Sequence, residues 1–286
     1  MKFRYPFILV GLSFFAIFLT QCSMMTEIRR EEALRAPDFG VYQGLKRRIA
    51  VLDFQNLSQT GGDKIGGAIA DMIVSQLAKS GRFVILERQQ IERILEEQAL
   101  GQTGAITEET AVKAGLLLGV QCFLMGTIEE LKQESGSRKI EPEKEKWKLA
   151  LQAAVGFVKL HFNLVSASTG EVLQSDAVTA TEFRPGFGLK TEDFDFQDMF
   201  QFDQTLLGIV CRKAANQLAL KIIQSVSQIP WRGKVVKVMP GGIVYFTPGR
   251  GDGVQIGDQF DIYERQESGL EESLEFGGKK GSIKVV

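Results

Sequence analysis

Histidine is almost missing from this chain of 286 residues: there is one, His161, beside only three cysteines. That scarcity leaves no spare members for a Ser-His-Asp or Cys-His arrangement, so nucleophilic hydrolysis has nothing to run on. It also leaves too few ligands for a zinc site built from His and Cys. No excess of either charge is present, since the net charge is −1, and a basic field for nucleic acid is therefore lacking. Gly61–Gly67 is glycine-rich but lacks the Gly-Lys-Ser/Thr ending that cradles a nucleotide phosphate. The chain is expected to be no enzyme and to hold no cofactor and no metal.

A long membrane-spanning run is absent as well. Lys2 and Arg4 precede the apolar stretch Phe7–Thr20, which is too short to span comfortably and suits the core of a signal peptide. Leu19-Thr20-Gln21-Cys22 closes it. This resembles a lipobox, with cleavage before Cys22 and lipid on its thiol, although Gln21 stands where a small residue is usual. An ordinary signal peptide with an incidental cysteine is the other reading, and in both the mature chain leaves the cytoplasm. Residues 22–46 are polar, carry Arg29-Arg30-Glu31-Glu32 and Pro37, and read as a tether, with room for a short surface helix at Glu27–Arg35.

The stretch Arg48–Gln98 organises the rest of the chain. Ile49, Ala50, Val51, Leu52 and Phe54 form the apolar run of a strand buried on both faces. Gly61-Gly62-Asp63 breaks it, with Asp63 as a candidate N-cap. Ile65, Ile69, Met72, Ile73 and Leu77 then recur at helical spacing over Lys64–Lys79. Phe83–Leu86 is a second apolar strand, and Glu87-Arg88-Gln89 opens another helix. The Ile-Ala-Val-Leu-Asp-Phe strand, Leu86-Glu87-Arg88-Gln89 and Ile94-Leu95-Glu96-Glu97, in this order and spacing, are similar to the CsgG/HfaB family of curli secretion lipoproteins. The resemblance implies a three-layer α/β domain with a mixed sheet and covering helices.

Further along, Thr107 caps a helix to about Leu118, and Val120–Leu131 is a strand containing Cys122. Gln133–Trp147, with Glu143-Lys144-Glu145-Lys146, reads as a solvated loop or hairpin tip. Val158, Leu160, Phe162 and Leu164 alternate with Lys159, His161 and Asn163, giving a strand with one wet face. Ser168-Thr169-Gly170-Glu171 turns into Val172–Phe183, a hairpin that again resembles the family. Arg184–Gln204 is irregular. Leu207, Val210, Ala214, Leu218 and Ile222 then mark the inner face of a long helix. Cys122 and Cys211 could form a disulfide if that helix crosses that strand; two separate buried thiols are the equal alternative.

Past Pro230 the pattern changes to short strands between Gly-rich turns, a small β-barrel-like domain over residues 229–286 that resembles the C-terminal domain of the flagellar protein FlgT. Gly281–Val286 reads as a strand at which the chain stops, either an edge or the sign of a short gene. Arg250-Gly251-Asp252 matches an integrin-binding tripeptide, but a Gly-rich turn favours these residues for backbone reasons alone. The domain reading is a signal peptide at 1–21, a tether at 22–46, a CsgG-like body at 47–228 and the small β domain at 229–286.

Channel-forming members of the family resemble one another in a pore-narrowing loop with Tyr, Asn and Phe, and in two amphipathic hairpins per subunit that join into a membrane barrel. Here the loop is only Asn56–Lys64, without Tyr or Phe, and the first hairpin's expected arm is heavily charged. The chain is therefore expected to be a lipid-anchored protein on the periplasmic side of the outer membrane. It would serve assembly or export of surface structures by binding envelope or secreted proteins, with homo-oligomers and a membrane contact through lipid, and without nucleic acid. An oligomeric secretion channel and a scaffold regulating a cell-wall synthase are the alternatives.

Overall fold

The computed structural model describes residues 37–62, 64–88, 91, 119–140, 149–167, 170–185, 202, 205–227, 231–267 and 274–286. The signal peptide, Cys22, the polar stretch before residue 37, Asp63, the helix expected at Thr107 and most of Arg184–Gln204 lie outside these residues. No described helix is long and apolar enough to cross a membrane.

A mixed sheet carries the body. Strands β1 (Arg47–Val51), β2 (Gln55–Asn56), β3 (Phe83–Leu86), β4 (Cys122–Ile140), β5 (Leu149–Ser166) and β6 (Val172–Pro185) run in the order β3-β1-β4-β5-β6, with β2 beside β4. The first three of that order are mutually parallel, and β4-β5-β6 is antiparallel. Two helices, α1 (Ile65–Lys79) and α2 (Leu206–Val226), join the same apolar cluster. The period-two alternation of a strand divides β1 as its composition demands. Ile49 and Val51 join the cluster under the helices, whereas Ala50 and the following Leu52 join a second one with Val120, Phe123, Ala167 and Ile91. The α/β class with covering helices read from the sequence is thus the observed one.

The helical spacing is also the observed one. Ile65, Ile69, Met72, Ile73 and Leu77 are all buried on α1. Its N-cap position is Lys64, which supplies no side-chain bond. Replacing Ile69 with Ala removes three buried carbons and is expected to cost roughly 2–5 kcal/mol. A melting midpoint equal to that of the parent protein would show the helix to be wrongly oriented.

The charged stretch departs from expectation. Gln133–Ile140 is not loop but the outer part of β4, paired without interruption to Leu149–Gly156. Backbone pairing decides here rather than side-chain polarity, because a sequence without apolar alternation carries no period to reveal a strand. A single irregularity between Ile128 and Glu130 interrupts the ladder.

Residues 231–286 form two hairpins, β7–β8 (Lys234–Val238 and Val244–Thr247) and β9–β10 (Gln259–Glu267 and Leu274–Lys284). No ladder joins them among the described residues. Aromatic rings link them instead: Phe260 lies 4.8 Å from Trp231 and 5.4 Å from Phe246, centroid to centroid.

This unit docks on the N-terminal end of β1. Arg48 reaches the buried Asp252 through two bonds of 2.8 and 3.2 Å, and the Lys46 amide donates to the Asp252 carbonyl. Gln121 links the units too, accepting from the Arg48 amide and donating to the Arg232 carbonyl. Residues 37–46 are held between the units. The Arg82 guanidinium stacks 4.7 Å over the Tyr42 ring, and Gln255 donates to the Gln43 carbonyl.

Candidate partner interface

The body carries an antiparallel arm, the outer parts of β4 and β5. Helix α2 starts where Thr205 caps it, accepting from the Gly208 amide at 2.9 Å and donating to the Phe202 carbonyl at 2.7 Å. It lies chiefly across β5 and β6. At the level of Leu206 and Val210 the strand beneath is Gly156, where a Cβ would come within 2.9 Å of Leu206 Cγ. Two lysines two turns apart, Lys213 and Lys221, pair with Glu182 and Asp176 of β6 and pin the helix along the strand. Beyond the buried Ala154 the two strands of the arm stay paired as far as Ile140 and Leu149.

Hydrogen bonding from Lys221, and then from the Ala177 amide, holds the Asp176 carboxyl below its ordinary range. A carboxylate lowered in the folded state adds stability above its unfolded pKa, and that stability is lost as pH falls through the lower, folded value. Asp176→Asn is therefore expected to lower the melting midpoint at pH 7 more than at pH 3. A uniform loss at both would exclude the ion pair as its source.

The face of the sheet away from α2 is mixed. Lys132 sits 5.3 Å from the Phe157 ring centroid and pairs with Glu130 at 2.7 Å, while Lys159 pairs with Glu129 at 2.6 Å. His161 lies 3.2 Å from the Ser175 hydroxyl. Val155 and Phe183, opposite each other in the ladder, are exposed. Ion pairs and exposed apolar groups thus alternate on this face. Among the described residues, no three His, Cys, Asp or Glu side chains gather to hold a metal.

Cys122 and Cys211 are separate thiols in one apolar cluster, not a bridge. The helix bearing Cys211 lies mainly over β5 and β6 rather than crossing the Cys122 strand. Burial pushes the Cys122 thiol up to about 12, which disfavours the thiolate. Asp252 of the Arg-Gly-Asp sequence is buried against Arg48 and unavailable to a receptor. The loop after β2 is closed locally, with the Asn56 amide donating to the Thr60 and Gly62 carbonyls at 2.9 Å each.

The motifs that carried the family resemblance are tied together in space. Arg88 of Leu-Glu-Arg-Gln pairs with Asp53 of the Ile-Ala-Val-Leu-Asp-Phe strand, 35 residues earlier. The β4–β5 arm and the Thr205 cap escaped the sequence; a Thr before an apolar helix was the one available signal for the latter.

A Neisseria meningitidis serogroup B protein named as a lipoprotein is 23% identical over 225 residues, covering 76% of this chain and 93% of its own. Among solved structures, the hypothetical protein CT253 of Chlamydia trachomatis gives a TM-score of 0.40 at 13% identity, covering 64% of this chain and 99% of that one. Lipoprotein GNA1162 of Neisseria meningitidis gives 0.34 at 14% identity, with 64% and 99% covered. The family model described as "Curli production assembly/transport component CsgG" matches residues 42–234, well over half of the sequence, and the chain belongs to the CsgG family.

Proposed function

We propose that this protein is an envelope lipoprotein, anchored through Cys22 on the periplasmic side of the outer membrane, that serves assembly or export of surface structures by binding other proteins and not by catalysis. The family match over residues 42–234 carries this reading. The lipobox-like Leu19-Thr20-Gln21-Cys22 and the mixed surface of the β4–β6 face support it.

One observation favours the second reading, an oligomeric secretion channel. The sequence argued against a membrane hairpin because Gln133–Lys146 is heavily charged, yet β4 and β5 pair continuously through Ile140 and Leu149. Against the channel stands the register itself. Along the strand face that holds Leu149, Leu151, Ala153 and Val155, it sets Arg138 opposite Leu151 and Glu134 opposite Val155. Charges of this kind facing lipid at mid-depth cost roughly 2–4 kcal/mol for Arg or Lys and less for Glu.

Detergent extraction, size measurement and planar-bilayer recording of the mature protein separate the two. The binding reading expects no uniform conductance. A ring of subunits with reproducible large conductance would replace it by the channel.

A further inference from the structure

We propose that the open edge of the β7–β8 hairpin takes up an acidic, aromatic strand, Thr191–Phe200, from a second copy of this chain. The hairpin and its approach, Trp231–Thr247, contain Arg232, Lys234 and Lys237 and no Asp or Glu at all. Lys234 and Lys237 are exposed, and neither makes an ion pair with a described residue. The neighbouring hairpin is the opposite case: its Lys279 pairs with Asp261 at 2.8 Å and its Lys280 with Glu264 at 2.6 Å.

Apolar groups surround the uncompensated lysines. Val236 and Val238 are each 64% exposed, Ile243 58% and Tyr245 57%. Only β8 pairs with β7 among the described residues, so the other edge of β7 presents its amides and carbonyls to a further strand. A two-stranded hairpin is marginal alone and gains from a third strand. Lysines on an edge exclude neutral and basic strands and favour an acidic one.

Thr191-Glu-Asp-Phe-Asp-Phe-Gln-Asp-Met-Phe200 has that chemistry, with four carboxylates, no cation, and Phe194 and Phe196 in alternate positions. In an extended strand Phe194, Phe196 and Phe200 fall on one face and Asp193 and Asp195 on the other. The segment lies between Pro185, the end of β6, and Leu206, the start of α2. The hairpin follows the opposite end of α2, 21 residues away along a helix about 30 Å long. Docking within one chain would draw both flanks out to nearly the full ~3.3–3.6 Å per residue. A second copy delivers the strand without that constraint. The contact is head-to-tail, and it builds an open chain of subunits unless its rotation closes a ring.

The test titrates a fluorescent peptide of residues 191–200 against the full chain in detergent, with amide exchange of β7 read in parallel. Saturable binding, slower exchange at Val235–Val238, and at least tenfold weaker binding to Lys234→Glu/Lys237→Glu are expected. A peptide with its four acids changed to Lys should bind the double variant and not the parent chain. Because both lysines are exposed, the double variant is expected to keep the parent's melting midpoint, and the reversed peptide supplies a readout independent of folding. Equal binding to parent and double variant, equal binding of an Asn/Gln peptide, or binding without protection of β7 would each overturn the proposal.

Discussion

Gly66→Ala is expected to unfold this protein or leave it largely insoluble, whereas Gly67→Ala, one residue later in the same helix, should be neutral or mildly stabilising. Both replacements gain the same helix propensity, roughly 0.8–1 kcal/mol over Gly. What differs is the neighbour. A Cβ on Gly66 would overlap the carbonyl oxygen of Phe54, and the Phe54 amide already donates to the Gly66 carbonyl at 3.4 Å. Main chain is thus packed on main chain where the first strand leaves the sheet, and neither side can rotate away. Overpacking of a rigid site costs about 1–3 kcal/mol and more where backbone must move. A Cβ on Gly67 meets only the ends of the Asp53 and Arg88 side chains, at 3.3 and 3.4 Å, and these can shift. Parallel thermal melts decide the matter. Equal midpoints for the two variants would mean that α1 does not approach Phe54 as described.

The same corner shows how far the sequence could be read. Ile49, Val51 and the spacing from Ile65 to Leu77 announced a buried strand and a covering helix, because burial on known faces leaves a period. The pairing of Asp53 with Arg88 had no such signature, although the two residues sit in the motifs that marked the family. The outer part of β4 was illegible for a different reason. Ser135, Ser137 and Lys139 alternate with Gly136, Arg138 and Ile140, so neither face is apolar enough to stand out, and only the partner strand fixes the conformation. Likewise nothing in Arg250-Gly251-Asp252 says that Asp252 will seek Arg48, 204 residues earlier. The junction between body and small domain is a product of tertiary docking. Its components look like ordinary surface charge until the two units meet.

Cys22→Ala is expected to move essentially all of the protein from the membrane pellet to the soluble periplasmic fraction, while shortening the arm should move none of it. Acyl chains bind a bilayer with about 0.8 kcal/mol per buried methylene, and two or more together give stable anchoring. Removing the thiol that bears them removes that whole term. The arm cannot replace it. Beyond Ala154 the described strands add only Gly136–Ile140 and Leu149–Ala153, against the roughly 9–11 residues a membrane strand requires. The residues joining them bring Glu141, Glu143, Lys144, Glu145, Lys146 and Lys148. Replacing Gly136–Ala153 by Asn-Gly, a turn suited to closing two antiparallel strands, keeps Ser135 and Ala154 in register and spares the packing of Gly156 under α2. That variant should sediment with membranes as the parent does and melt at nearly the same temperature. The opposite pattern, with Cys22→Ala still sedimenting after alkaline washing and the shortened arm released, would put the β4–β5 arm in the bilayer and make the channel the correct account.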